Sequence, residues 1–390
     1  MKRQKIGLIL TGGGARAAYQ VGVLKAIAEF MPYRSRMPFD VVCGTSAGAL
    51  NAVTLVVNAR HFRKGVRYLY NIWNNAHINE IYRSDVLGVA ANSGRWIMGL
   101  VLSVLGSSRY NRVSLLDNRP MRTFLERTLP CELIQQNIDE GLVHAVSVTA
   151  SGYGSGHSVT FYQGAPDIKP WKRARRLGMP TQISIQHMLA SSAIPFMFPA
   201  VHVNREFFGD GSMRQIAPIS SALHLGAERV LVVGVGHAPL EDGQKRSKID
   251  SYPSLAEIAG HALDSIFIDG LEVDLERLHR INRTIGMIPE ELRGNVNLQH
   301  VEALVITPSQ PLEKVAERHI ANLPWTIRLL LRLVGVMRGS GANLVSYLLF
   351  ERHYCRALID LGYQDAFKRR DEILLFMEQG GAATCNDLSQ

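Results

Sequence analysis

The first 57 residues contain two short apolar stretches, each followed directly by a glycine-rich turn, and this arrangement restricts the fold more than any other feature. The stretch Ile6–Leu10 ends in a threonine and three consecutive glycines, and apolar residues then recur at helical spacing over about 15–30. A second stretch at 39–43 leads into the sequence GTSAG and an apolar helix over 49–57. Buried strands that alternate with helices form parallel sheets, so the pattern predicts an α/β fold.

The remaining sequence predicts further strands and a helical tail. Amphipathic spacing predicts a long helix over about 254–285 and helices over 312–378. The basic stretch 171–176 is predicted to be an exposed loop. Apolar, β-branched stretches bounded by turn residues predict strands at 143–150, 158–162, 201–203, 206–208, 229–235 and 301–307.

The charge balance favours anionic partners. The chain has 43 lysine and arginine residues against 34 aspartate and glutamate residues, a formal net charge of +9. Positive charge attracts nucleic acid and acidic lipid surfaces, although it also serves solubility alone. Because the basic stretch 171–176 is short, we expect no nucleic-acid partner.

The apolar segments are too short to span a bilayer. No run reaches about 18 uncharged apolar residues, so no transmembrane helix is predicted. The uncharged stretch 96–106 fits either a core helix or an apolar lid. The stretch 323–337, with Arg328 and Arg332 among leucines, fits either a helix in a membrane interface or a helix packed on the core.

Cysteine usage indicates a reducing compartment. The chain contains Cys43, Cys131, Cys355 and Cys385, which lie far apart and form no C-x-x-C pair. This spacing opposes a disulfide scaffold and a zinc ribbon. We therefore expect a cytoplasmic protein that holds no metal.

Ser46 lies in the pattern G-x-S-x-G between Gly44 and Gly48, after a predicted strand and before a predicted helix. In a nucleophile elbow a serine occupies a strained turn at this place, and small neighbours let the turn close. The helix N-terminus also brings backbone N–H groups near the serine, where they favour developing negative charge. The pattern therefore predicts a serine nucleophile.

Gly12, Gly13 and Gly14 follow the first strand, and Arg16 begins the next helix. Consecutive glycines can turn several N–H groups toward one point and form a cradle for an oxyanion, to which Arg16 would add charge. The same residues fit the dinucleotide-binding spacing G-x-G-x-x-A. That alternative needs an acidic residue at the end of the second strand, whereas Asp40 precedes this strand. The oxyanion cradle is therefore favoured, and a nucleotide-binding oxidoreductase is the alternative.

A serine nucleophile needs a base, and the residues leave two interpretations open. Asp210 with Gly211 fits a carboxylate at the end of a strand, although Asp-Gly is also a common surface turn. A serine–histidine–aspartate triad is the other arrangement. His187, His202 and His237 are candidates for the triad, but none of them lies in a motif.

Four motifs together resemble the patatin-like phospholipases. The stretch GGGARAAYQVGVLKAI is similar to that family's glycine loop and first helix, GTSAG to its nucleophile elbow and Asp210-Gly211 to its aspartate turn. The segment ASSAIPFMFP at 190–199 resembles the one that precedes this turn. The motifs occur in the family's order across residues 7–212, and the resemblance fades beyond about residue 235. The chain departs from the family pattern with Ala17 in place of glycine and Ser212 in place of glycine or alanine.

The resemblance implies a serine–aspartate dyad without histidine. Ser46 would be the nucleophile and Asp210 the general base, with the oxyanion held by the glycine loop and helped by Arg16. Burial against Phe207, Phe208 and a lid is expected to raise the pKa of Asp210.

The resemblance and the predicted elements together give the expected organisation of the chain. We expect a three-layer α/β/α fold with a mostly parallel central sheet and a helical C-terminal extension. A catalytic domain would cover 5–235, its α/β continuation 236–310 and the helical extension 311–390.

The implied activity is hydrolysis of phospholipid or lysophospholipid acyl esters, without a cofactor. An esterase or acyltransferase acting on other esters is the nearest alternative, and a catalytically silent membrane-binding scaffold is a second. Peripheral contact with a membrane surface is expected, and a homo-oligomer is left open.

Overall fold

The computed structural model describes residues 3–83, 114, 116–236, 265–266, 269–293, 298–324, 327–329 and 342–379. Within these residues ten strands form one mixed sheet. The strands are Ile6–Leu10 (β1), Val41–Thr45 (β2), Ala145–Gly152 (β3), Ser158–Gly164 (β4), Trp171–Arg173 (β5), Arg176–Pro180 (β6), Val201–Val203 (β7), Glu206–Asp210 (β8), Arg229–Val233 (β9) and Glu302–Ile306 (β10).

The central part of the sheet is parallel. The strand order is β10-β9-β1-β2-β3-β4-β6-β5, and the strands from β10 to β3 all run parallel to their neighbours. β4 is antiparallel to β3, and the β7–β8 hairpin pairs through β8 with the last residues of β3. Parallel strands bring their carboxyl ends to one edge of a sheet, which is where ligands bind in such folds. Both glycine-rich turns lie at this edge.

Helices cover both faces of the sheet. Short 3-10 helices form at Gly14–Ala17, Gly211–Arg214 and Ile320–Asn322. The α-helices are Ala18–Phe30 (α1), Ala47–Val57 (α2), Phe62–Asn74 (α3), Ile78–Ile81 (α4), Arg119–Thr128 (α5), Leu133–Asp139 (α6), Ile185–Ser191 (α7), Pro218–His224 (α8), Asp269–Met287 (α9), Glu290–Arg293 (α10), Leu312–Glu317 (α11), Ala342–Leu348 (α12), Arg352–Lys368 (α13) and Arg370–Gln379 (α14).

β1 contributes side chains to the cores on both faces of the sheet, because successive side chains of a strand point to opposite faces. Leu8 and Leu10 belong to the larger core, which also contains residues of α1, α2, α3 and the C-terminal helices. Ile9 belongs to a smaller core that includes residues of α8 and α9. The predicted three-layer α/β arrangement is therefore confirmed, and the helical C-terminal part packs into the main core.

Most predicted elements are confirmed, but residues 171–176, although mostly exposed as predicted, do not form a loop. This stretch forms β5, a turn and the start of β6. The Trp171 ring stacks between Tyr162 and His224, with centroid distances of 5.1 and 4.9 Å. Aromatic packing thus fixes a basic segment as an edge hairpin, where positive charges oppose pairing with other chains.

Several predictions fall outside the described residues. These are the apolar stretch 96–106, most of 323–337, the first part of the helix predicted over 254–285, and His237. The domain divisions at 235 and 310 stay predictions. Across the described ranges, none of the helices has the combined length and apolar character that a membrane span requires.

Candidate active site

The turns predicted to carry the chemistry lie side by side at the carboxyl edge of the sheet. β1 and β2 are parallel neighbours, so the glycine loop after β1 and Ser46 after β2 leave the sheet together. Thr45 is opposite Thr149 on β3, and Ala150, the next residue, pairs with Asp210. The strand register thus brings Ser46 and Asp210 together, although 164 positions separate them in the chain.

Ser46 occupies a strained turn between β2 and α2. Its φ is 53° and its ψ is −128°, a region that residues with a Cβ rarely adopt. A Cβ on Gly44 would lie 2.5 Å from the Ala49 Cα, and a Cβ on Gly48 would lie 2.3 Å from the Leu10 carbonyl oxygen. This crowding explains why both positions carry glycine.

The Ser46 hydroxyl is directed at a carboxylate. Ser46 Oγ donates a hydrogen bond of 2.6 Å to Asp210 Oδ2. Ser46 is 2% exposed and Asp210 is 0% exposed, so the pair is screened from water. The Ser46 N–H donates to Ser191 Oγ at 2.8 Å, and Ser191 Oγ donates to the Thr149 carbonyl oxygen at 2.6 Å. The backbone of the turn and the hydroxyl are therefore both fixed.

The Asp210 carboxylate is held with one oxygen toward the serine. Its Oδ1 accepts the Ser212 N–H at 2.9 Å, and its own N–H donates to the Ala193 carbonyl oxygen at 2.9 Å. Burial raises the pKa of Asp210 to about 6, while the hydrogen bonds from Ser46 and Ser212 lower it. At neutral pH the carboxylate is ionised and basic enough to accept a proton, which a general base requires.

The prediction that Phe207 and Phe208 bury Asp210 is right for Phe208 only. Phe208 is buried and packs on Phe161, with ring centroids 5.3 Å apart. Phe207 is exposed instead and packs on His202. Because residues two apart share one face of a strand, Phe208 lies on the same face of β8 as Asp210 and Phe207 does not. The expected lid at 96–106 lies outside the described residues.

The glycine loop lies beside Ser46. Gly14 has a φ of 54°, and a Cβ there would lie 2.2 Å from the Tyr347 carbonyl oxygen. In the described part of the chain, the N–H groups of Gly13 and Gly14 donate to no protein acceptor. Gly14 lines the same pocket as Ser46, and Gly12 is buried in the loop before it. The loop can therefore donate to a bound oxyanion.

Arg16, which was expected to add charge to the oxyanion cradle, directs its guanidinium to α12 instead. Nε donates to Ser346 Oγ at 2.7 Å, Nη1 donates to Tyr347 Oη at 3.0 Å, and Nη2 donates to Asn343 Oδ1. The Arg16 N–H donates to the Gly13 carbonyl oxygen at 3.1 Å. Because all three guanidinium nitrogens bind this helix, the geometry does not support direct contact between this charge and an oxyanion.

The triad alternative finds no support in the described ranges, where no histidine is hydrogen-bonded to Ser46. His187 contacts Ser184 in the N-terminal cap of α7, and His202 lies exposed on the β7–β8 hairpin. The same residues contain no group of three or more His, Cys, Asp or Glu side chains that could hold a metal ion.

An apolar pocket adjoins Ser46. Ser46, Gly14 and Ser192 lie in its wall, and Glu80 contributes a carboxylate to the lining. A surface of this kind suits a hydrocarbon chain, which gains free energy by leaving water. The rest of the lining is aliphatic or aromatic and consists of Ala47, Leu50, Ile72, Trp73, Ala76, Ile81, Met121, Phe124, Ile194, Phe198 and Phe350.

Sequence reasoning missed a buried polar network behind the site. Gln20 Nε2 donates to the Thr11 carbonyl oxygen at 2.8 Å, and Asn51 Nδ2 donates to Gln20 Oε1 at 2.9 Å. Trp73 Nε1 donates to Asn51 Oδ1 at 2.8 Å. The network ties the start of the glycine loop to α1, α2 and α3. A glutamine and an asparagine inside apolar helices were the available signal, since buried polar groups need partners.

A family model for patatin-like phospholipases matches residues 8–223, which is more than half of the 390 residues. Among curated relatives, lysophospholipase nte1 of Aspergillus terreus is 48% identical over 48 residues, which are 12% of this chain and 3% of that protein. Neuropathy target esterase sws of Drosophila persimilis is 43% identical over 68 residues, 15% of this chain and 4% of that protein. The matched stretches are thus a small part of these relatives.

Two solved structures align over nearly the whole chain. VipD from Legionella pneumophila aligns with a TM-score of 0.32 and 12% identity, covering 100% of this chain and 94% of that one. Human GIVD cytosolic phospholipase A2, in complex with methyl γ-linolenyl fluorophosphonate, aligns with a TM-score of 0.42 and 12% identity, covering 97% and 59%. Both scores are low, so the assignment rests on the family model, whose match includes the elbow and the aspartate turn. The chain therefore belongs to the patatin-like phospholipase family.

Proposed function

We propose that this chain is a lipid acyl hydrolase of the phospholipase A or lysophospholipase type, which cleaves a carboxylic ester through an acyl-enzyme on Ser46. The observation that carries the proposal is the buried 2.6 Å hydrogen bond from Ser46 Oγ to Asp210, next to the glycine loop and the apolar pocket. Family membership supports the reaction class. The geometry supports Ser46 as the nucleophile, Asp210 as the base and the glycine loop as the oxyanion donor, the groups that acyl transfer needs.

In the first half-reaction, Ser46 Oγ attacks the ester carbonyl carbon while Asp210 takes the Oγ proton. The carbonyl oxygen becomes negatively charged in the tetrahedral intermediate, and the N–H groups of Gly13 and Gly14 donate hydrogen bonds to it. When the intermediate collapses, the bond to the alcohol oxygen breaks. Asp210 returns the proton to that oxygen, and the alcohol leaves.

In the second half-reaction, water attacks the acyl carbon of the acyl-enzyme. Asp210 takes a proton from the water as the new C–O bond forms, and the same N–H groups stabilise the second oxyanion. Collapse breaks the bond to Ser46 Oγ, which regains a proton from Asp210. The sum is ester plus water giving carboxylic acid plus alcohol, with the enzyme unchanged.

The apolar lining of the pocket beside Ser46 supports the binding of a hydrocarbon acyl chain there. Each buried CH₂ contributes about 0.8 kcal/mol, so affinity should rise with chain length until the pocket is filled. The names of the relatives, a lysophospholipase and a neuropathy target esterase, support a phospholipid or lysophospholipid substrate. Hydrolysis of other esters and acyl transfer are the alternatives that an experiment must separate.

The test is hydrolysis of a panel of phospholipids, lysophospholipids and neutral esters by wild type, Ser46→Ala and Asp210→Asn. We expect activity on at least one acyl ester and a loss of about 1,000-fold or more in both variants. Ser35→Ala is the matched control, because Ser35 Oγ has no hydrogen-bond partner in the described ranges. Full activity in Ser46→Ala would refute the mechanism. Vesicle binding by a wild type that hydrolyses no ester would favour the scaffold alternative.

The proposal includes peripheral contact with a membrane surface in the cytoplasm. Phe196 is 73% exposed with a φ of 65°, and it lies between Ile194 and Phe198, which both line the pocket. Ile216, after the aspartate turn, is also exposed. Exposed apolar side chains near the pocket suit insertion among lipids, and the net charge of +9 suits acidic headgroups.

A further inference from the structure

We propose that helix α12 is a positioning element of the active site and acts on the glycine loop through Arg16. The inference rests on the proposed function, because it concerns the oxyanion donors of that reaction. It assigns a role to Asn343, Ser346 and Tyr347, which lie outside every sequence motif identified above.

The Arg16 charge is buried against α12. Arg16 is 2% exposed, and a buried charge is costly unless its hydrogen bonds are satisfied. α12 satisfies them with two hydroxyls and an amide oxygen, and the Tyr347 ring centroid lies 4.0 Å from Arg16 Cζ. Glu313 brings a carboxylate oxygen within 3.9 Å of Nη2. The Arg16 side chain is therefore bound to α12 through all three of its guanidinium nitrogens.

The acceptors on α12 are themselves fixed. Ser346 Oγ donates to the Asn343 carbonyl oxygen, so it presents a lone pair to Arg16 Nε. Ser346 and Tyr347 are both fully buried. A planar guanidinium bound at three nitrogens has little freedom to rotate. The position of Arg16 is therefore set by α12.

The glycine loop and the turn after it approach α12 at two points. The backbone at Gly14 lies so close to Tyr347 that a Cβ would come within 2.2 Å of its carbonyl oxygen. Arg16, two residues later, binds the same helix with its side chain and Gly13 with its N–H. A shift of α12 would thus move the oxyanion donors. A displacement of about 1 Å at a reacting group can cost about 100-fold in rate.

The end of α12 and the residues that follow it also make contacts near the pocket. Phe350 lines the pocket beside Ser46 and stacks on Trp73, with ring centroids 6.1 Å apart. Tyr82 Oη donates to the Leu348 carbonyl oxygen at 3.0 Å. One C-terminal segment therefore holds the glycine loop and forms part of the acyl-chain wall.

The chain offers a matched control at the amino edge of the sheet. Arg229 is also 2% exposed and binds a C-terminal helix, because its Nη1 donates to the Phe376 carbonyl oxygen in α14 at 2.6 Å. Its guanidinium also pairs with Glu302 at 2.6 Å. Arg229 is opposite Ile6 at the start of β1, so the length of that strand, about 13 Å, separates it from the glycine loop.

The experiment compares Arg16→Lys, Tyr347→Phe and Arg229→Lys by kcat, KM and thermal midpoint on the ester that wild type hydrolyses best. Lysine keeps the charge but cannot bind three acceptors as a planar fork. We expect kcat to fall about 100-fold in Arg16→Lys and about fivefold in Tyr347→Phe, with KM within about twofold, because oxyanion donors act in the transition state. Arg229→Lys should keep kcat within about twofold despite an equal or larger drop in thermal midpoint.

If Arg16→Lys does not fold, Tyr347→Phe, which removes a single hydroxyl, decides the question. Wild-type kcat in Arg16→Lys and Tyr347→Phe, a change in their KM alone, or a kcat loss equal to that of Arg229→Lys would overturn the inference. Failure of the proposed function looks different, because Ser46→Ala would then keep full activity. An inactive Ser46→Ala together with an unimpaired Tyr347→Phe would refute only the role of α12.

Discussion

Two buried arginines hold C-terminal helices against opposite edges of one sheet, and only one of these edges carries the candidate active site. Arg16 binds α12 at the carboxyl edge, and Arg229 binds α14 at the amino edge. Arg16 follows the glycine loop, which lies beside Ser46, whereas Arg229 begins a strand that pairs with two neighbouring strands. The same contact can therefore serve chemistry at one edge and stability at the other.

The largest expected effect is a loss of activity on substituting Gly14, compared with Gly141. Both glycines have a left-handed backbone, and they lie at the carboxyl and the amino edge respectively. In Gly14→Ala the new Cβ would lie 2.2 Å from the Tyr347 carbonyl oxygen, whereas a Cβ on Gly141 would meet nothing within 4 Å. Both substitutions cost about 1 kcal/mol for the backbone conformation, but only the first must also displace the loop or α12. We expect kcat/KM to fall about 1,000-fold in Gly14→Ala.

Gly141→Ala should keep the wild-type kcat/KM and lower the free energy of unfolding by about 1 kcal/mol, measured by urea denaturation. Equal losses of activity in the two variants would show that the edges do not differ in the way proposed.

The pH dependence of catalysis tests the role of Asp210, which lies at the carboxyl edge. Because burial raises the pKa of Asp210 to about 6, the base is protonated below that pH and cannot accept the Ser46 proton. We expect kcat/KM to fall about tenfold for each pH unit below about 6 and to level off above it. A profile that stays flat down to about pH 4.5 would contradict the assignment of Asp210 as the base.

The same pKa shift has a definite sign for stability. The folded-state pKa of Asp210 lies above its ordinary value, so its contribution to stability is complete below that ordinary value and is lost as pH rises through about 6. Asp210→Asn cannot ionise. Its free energy of unfolding should therefore exceed that of wild type at about pH 8, and the difference should shrink toward about pH 4 in chemical denaturation.

A smaller effect is expected at the amino edge. Arg229→Met keeps the apolar stem but leaves the Phe376 carbonyl oxygen without this donor, while Glu302 is half exposed and can be hydrated. We expect the free energy of unfolding to fall by about 2 kcal/mol, with kcat of the folded enzyme unchanged. A drop in kcat at full folding would mean that the amino edge also reaches the chemistry.

The smallest effect concerns exposed aromatic residues at the two edges. Phe196 lies beside the pocket lining, and Tyr33 lies in the loop that leads to the amino end of β2; both are mostly exposed. Phe196→Ser should lower hydrolysis on vesicles with acidic lipid about threefold and leave a soluble ester unaffected, whereas Tyr33→Ser should change neither. Binding of wild type to these vesicles should weaken as ionic strength rises, because salt screens the attraction between basic residues and acidic headgroups. Equal effects of the two variants would argue against a membrane surface at the carboxyl edge.

The sequence predicts those parts of the site that depend on local backbone geometry. A serine with positive φ needs small neighbours, so the elbow leaves a pattern at Gly44 and Gly48 that can be read directly. The glycine loop and the Asp210 turn leave similar local patterns. The alternation of apolar stretches and helices likewise predicts the parallel part of the sheet.

The remaining features depend on contacts between distant residues, which leave no local pattern. Nothing near Arg16 indicates that its guanidinium meets Tyr347, and nothing in α12 marks it as part of a site. The stretch 171–176 was mistaken for a loop because its four basic residues dominate its composition, whereas Trp171 packing decides its structure. Polar residues inside apolar helices, such as Gln20, are the local sign that such contacts exist.

Arg16 meets its partners 327 to 331 positions further along the chain. Contacts between residues so far apart close a very long loop, and because this costs conformational entropy they are expected to form late. During translation, the elbow and the glycine loop leave the ribosome long before α12 does. An incomplete nascent chain should therefore be a poor catalyst even with its serine in place, and lipid hydrolysis should begin only when the late helix has docked.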